Sequence, residues 1–71
     1  SNGDAKDVNK AIQYYEQAAN QGHSDAMHNL GVIYLNGDGI PKDSKRAMHL
    51  FQQASNQGHL KAMCSMGVMY L

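Results

Sequence analysis

The sequence predicts an all-α fold: a superhelix of antiparallel helical hairpins, four helices in all. Three observations predict it. The chain repeats itself: Asn20-Gln21-Gly22-His23 returns as Asn56-Gln57-Gly58-His59, and Gly31-Val32-x-Tyr34-Leu35 returns as Gly67-Val68-x-Tyr70-Leu71. Laid over itself at a spacing of about 36 residues, it matches at roughly 16 of 35 positions, and a period of this size marks a stacked array whose units contact mainly their neighbours. Apolar residues recur at steps of three and four, and no segment alternates like a strand. The links at Gly22-His23 and Gly58-His59 are too short for anything but antiparallel neighbours.

Each element follows in order. Val8, Ala11, Ile12, Tyr15, Ala18 and Ala19 form one helical face, behind Asp7 as N-cap and ahead of Gly22, which ends the helix in the left-handed conformation. Ala26, Leu30, Ile33 and Tyr34 carry a second helix that Asn36-Gly37 closes. Asn36-Gly37-Asp38-Gly39-Ile40-Pro41-Lys42 is a loop by its breakers. Asp43 caps a third helix with Ala47, Met48, Phe51 and Ala54 on its apolar face, and Gly58 ends it. Ala62, Met66 and Tyr70 carry the fourth. The predicted spans are 7–21, 24–35, 43–57 and 60–71. Gly31 and Gly67 lie inside helices, where Gly costs about 1 kcal/mol relative to Ala. The same cost at the same phase of two units implies close helix packing, with Ala11 and Ala47 as the expected small partners.

One complete unit reads Ala26-x-x-x-Leu30-Gly31-x-x-Tyr34-x-x-Gly37-x-Gly39-Ile40-x-x-Asp43-x-x-Arg46-Ala47, then Phe51 in an aromatic slot, Ala54 and Gly58. In these residues it resembles the Sel-one-like repeat, a variant of the tetratricopeptide repeat. The G-x-G loop and the added length separate the pattern from an ordinary tetratricopeptide unit. Met66 stands where the pattern has Leu, Phe51 where it has Trp, and Ser55 where it has a second Ala. Ser1-Asn2-Gly3-Asp4-Ala5 looks like a shortened loop of the same kind, or a cloning remnant joined to one. The resemblance implies a tetratricopeptide-like α-solenoid fragment of about two repeats that scaffolds protein assemblies.

Composition narrows the function. At 71 residues the chain is one small domain, a size that buries only about 60% of its unfolded surface. The single cysteine, Cys64, excludes an intrachain disulfide. Six basic and six acidic residues cancel, which argues against nucleic acid as a partner. No apolar run approaches the ~18 residues of a membrane span, so membrane insertion is not expected.

Candidate chemistry has a structural reading at every position. His23 and His59 occupy equivalent turns, but repeat spacing sets them about one unit width (~10 Å) apart, too far for one ion; they are expected to support or cap the turns. His28 follows His23 by five residues, which is not the spacing that puts two ligands on one helical face. No Ser/His/Asp or Cys/His arrangement accompanies His49 or Cys64, and a nucleophilic Cys64 needs a base that the sequence does not supply. The Gly37-x-Gly39 loop lacks the oxygen ligands of a calcium hand, and no strand precedes it as in a nucleotide loop. The five methionines fall mostly at core phase. No catalytic residue, metal or cofactor is expected.

What remains is a surface. In tetratricopeptide-like arrays the first helix of each unit lines the concave side. Carried over by register, the exposed first-helix positions are Asp25, His28, Asn29 and Val32, then Lys61, Cys64, Ser65 and Val68. The expected function is a non-catalytic adaptor that presents this face to a peptide or protein. The alternatives are a ligand-binding or hydrolytic module, as proposed for cysteine-rich relatives, and a self-assembling spacer. The paired cysteines of those relatives are missing here. The chain reads as a partial unit 1–21, a complete unit 24–58 and a partial unit 60–71 of a longer array. Its first and last helices lack their unit partners, so a head-to-tail contact between copies is also expected.

Overall fold

The computed structural model describes residues 7–71. The leading segment Ser1-Asn2-Gly3-Asp4-Ala5, read above as a shortened loop, lies outside the described residues. Four helices follow one another: α1 (Val8–Asn20), α2 (Ser24–Asn36), α3 (Ser44–Asn56) and α4 (Leu60–Met69). No strand occurs among the described residues.

The helix ends are set by the residues that the repeat conserves between its two copies. Asp7 and Asp43 each accept a backbone N–H at 3.0 Å, from Lys10 and Arg46, satisfying one of the free amides of a helix start. Gly22 and Gly58 take φ of +87° and +85°. There the chain folds back so that His23 N–H donates to the Ala18 carbonyl and His59 N–H to the Ala54 carbonyl, at 3.1 and 3.2 Å. The two turns are built alike because their sequences are alike.

Packing runs along the chain: α2 lies against α1 and α3, and α3 against α4. Phe51 is completely enclosed, with Met27, Ala47, Ala54 and Ala62 around it and Val32, Tyr34, Leu35, Met66 and Met69 at the edges. Ala26, Leu30 and Leu50 are also buried. Leu50 was not on the predicted face. Burying a side chain of the Leu or Phe class contributes about 1.5–3 kcal/mol. The predicted face of α1 points inward at all six positions, yet each is only half-buried.

The glycine partners differ from expectation. A Cβ at Gly31 would lie 2.6 Å from Phe51 Cε1, so the notch accommodates an aromatic ring and not the small Ala47. A Cβ at Gly67 would meet nothing within 4 Å. The notch is the same, but no described residue fills the second one. Tyr70 departs in the same way. Tyr34 is half-buried beneath the Arg46 guanidinium, 5.2 Å from its ring centroid, whereas Tyr70, with no such cover among the described residues, is 78% exposed.

The G-x-G loop has a packing explanation. Gly37 adopts φ +64° and ends α2, its N–H donating to the Ile33 carbonyl at 3.0 Å. Gly39 adopts φ +86°, and a Cβ there would lie 2.8 Å from Val8 Cγ2. The loop therefore lies against the start of α1, and Asp43 N–H ties its end to the Tyr34 carbonyl at 2.9 Å.

Candidate functional site

The two first-type helices, α2 and α4, are joined by a polar seam. His59 is the N-cap of α4, and its Nδ1 accepts the Ala62 N–H at 3.1 Å. An acceptor Nδ1 puts the proton of the neutral ring on Nε2, which donates to Asp25 Oδ1 at 2.6 Å. The His28 ring stacks on His59, with centroids 5.0 Å apart and planes 23° apart, and its Nε2 lies 3.3 Å from Ser65 Oγ. On its other side His28 meets the buried Phe51 ring at 5.5 Å. Asp25, His59, His28 and Ser65 thus form a continuous line from the start of α4 into its middle.

The electrostatics follow from this geometry. The hydrogen bond from His59 holds the Asp25 carboxyl below its usual value, with burial opposing and the positive potential of His59, His23 and His28 assisting. Burial pushes His28 below its ordinary value, His59 and Lys61 add to that shift, and the Asn29 side chain and the Asp25 charge oppose it without reversing it. Among the described residues, no group of three or more His, Cys, Asp and Glu side chains is arranged to hold a metal.

The predicted face divides in two. Asp25, Asn29, Lys61, Cys64 and Val68 are exposed. His28 and Ser65 are half-buried because they contact each other across the seam, and Val32 is half-buried because it packs on the edge of the core. The turn histidines also divide. His59 caps its helix through its side chain, as expected, but His23 makes no side-chain capping bond. Sequence reasoning treated His28 and His59 separately and missed their stacking. Their repeat phases differ, and only the placement of one unit on the next brings them together.

On the opposite side, α1 and α3 are linked by Arg46, whose guanidinium lies 3.4 Å from Glu16 while covering Tyr34. Both partners of that ion pair are largely exposed, so it contributes about 0–1 kcal/mol.

Antiparallel hairpins with Gly-notched first helices side by side and capped second helices behind them define a tetratricopeptide-like helical-repeat module. Within that class the chain belongs to the Sel1 repeat family, whose model matches residues 1–23 and 24–59. No curated protein matches the chain. Sel1 repeats are generally protein–protein interaction modules and typically non-catalytic scaffolds. No helix among the described residues is long and apolar enough to cross a membrane.

Proposed function

We propose that this chain is a non-catalytic adaptor that binds a peptide or protein segment along the α2/α4 face. One observation carries the reading: Asp25, Asn29, Lys61 and Cys64 are exposed along two adjacent helices that the Asp25–His59 and His28–Ser65 contacts hold in register. A pre-ordered face loses less conformational freedom on binding than a mobile one. The Asn29 amide offers both donor and acceptor to a ligand backbone, and Asp25 and Lys61 supply opposite charges at equivalent positions of successive units. Immobilised wild-type chain and an Asn29→Ala/Lys61→Ala variant, probed with a peptide array, test the reading. Expected is loss of the wild-type peptide set at unchanged melting temperature. An identical set for both proteins would overturn it.

A second reading, self-assembly, rests on a separate observation. By register, Tyr15 corresponds to Phe51 and Gly67 to Gly31. Tyr15 lines a cavity of about 480 Å3 with Val8, Ala11, Val32 and Ile33, and Gly67 is an open notch. The occupant that fits is α4 of a second copy, seated on α1 with Gly67 over Tyr15 as Gly31 sits over Phe51. Light scattering over a range of concentrations tests this. Association that Gly67→Leu abolishes supports it, and a monomer at high concentration refutes it.

A further inference from the structure

We infer that the stacked His28–His59 pair is an acid-sensitive latch between successive units, closed while His28 is neutral and opened when His28 takes a proton. The neutral pair leaves no polar atom of His59 without a partner: Nδ1 accepts from Ala62, and Nε2 donates to Asp25. A proton on His28 sets a cation in the half-buried seam, 5.0 Å from the ring whose Nδ1 caps α4.

The surroundings do not neutralise that charge. From α2 the seam receives Asp25, with His23 in the turn before it; from α4 it receives Lys61 beside His59; from α3 it receives the apolar Phe51 ring. Among the described residues, the one carboxylate acting on the pair is Asp25, 70% exposed and already bonded to His59. The side chain of His59 is only 11% exposed, so water screens a charge beside it incompletely.

The direction of the pH effect follows from His28. Its proton affinity is lower in the folded chain than in the unfolded one. The unfolded state therefore binds more protons as pH falls below about 6.5, and the stability present above that pH is lost on acidification. Asp25 acts in the same sense, but only below the ordinary carboxylate range. Because Asp25 belongs to the proposed docking face and the His28–Ser65 contact holds its two helices in register, opening the latch changes that face too. This consequence rests on the adaptor reading; the latch itself does not, and its test needs no partner.

Thermal melts of the chain between pH 7.5 and 5.0 are paired with a nitrogen-15 titration of its histidines. At pH 7.5 the His59 ring is expected as the Nε2–H tautomer. On acidification the Ala62 and Ser65 amides shift with His28, and the melting temperature falls by about 4 °C or more. His28→Phe keeps a ring between Phe51 and His59 and flattens this slope, whereas His49→Gln on α3 leaves it intact. A melting temperature independent of pH over this range would overturn the latch. So would a His28→Phe protein with the full slope. Should His28→Phe fail to fold, the wild-type titration decides: His28 protonating in the ordinary range with the Ala62 amide unmoved rules the latch out.

Discussion

The same substitution at two equivalent glycines is expected to have opposite signs. At Gly31 a new Cβ would lie 2.6, 2.9 and 3.1 Å from three atoms of the Phe51 ring. Such separations force a neighbour to move, and Phe51 is enclosed on every side. Overpacking of this kind costs about 1–3 kcal/mol, against which Ala returns about 1 kcal/mol of helix propensity. With three ring atoms at 3.1 Å or less the upper part of that range applies, so the net for Gly31→Ala is a loss of up to about 2 kcal/mol, or as much as ~8–16 °C in melting temperature for a domain of this size. At Gly67 nothing lies within 4 Å, so only the propensity gain operates. Gly67 is near the end of α4, so Gly67→Ala is expected to raise stability by about 0.5 kcal/mol, ~2–4 °C. Thermal and urea unfolding of the two variants at low protein concentration provide the assay. A double variant supplies the mechanism: Phe51→Leu shrinks the ring, so Gly31→Ala should cost less in that background. Equal signs at the two glycines, or an undiminished cost beside Phe51→Leu, would refute the claim that the ring in the notch is what the glycine serves.

Further outcomes follow from single contacts. Phe51→Ala is expected to cost about 3–5 kcal/mol and to leave little cooperative unfolding, read by circular dichroism, because the ring is the largest wholly enclosed side chain. Asp43→Ala removes the acceptor of the Arg46 N–H and should cost about 1 kcal/mol in urea unfolding, whereas Asp43→Asn, still a good cap, should cost only a fraction of that. Gly39→Ala meets both a φ of +86° and Val8 Cγ2 at 2.8 Å, so its melting temperature should drop by several degrees, as expected for about 1–3 kcal/mol of strain. Glu16→Gln weakens only the exposed pair with Arg46 and should change the melting temperature by less than about 4 °C, an effect that shrinks in added salt.

The sequence by itself determined the elements and their order. Asp7, Asp43, Gly22, Gly37 and Gly58 fix helix ends through bonds to residues only a few positions away, and the three-and-four spacing of apolar residues fixes the inward faces. These are local consequences of backbone geometry, so Asp7 recurs as Asp43 and Gly22 as Gly58. Tertiary structure alone decided what meets what between units. Gly31 receives Phe51 and not Ala47, and Gly67, at the same phase of the next unit, receives nothing. Leu50 is covered although its place in the α3 pattern did not announce it. His28, taken for an exposed ligand-facing residue, is instead half-buried between Phe51 and His59. Such pairings depend on how far one hairpin is shifted and rotated on the next. That displacement is the sum of many small packing contacts, and no periodicity within either hairpin records it.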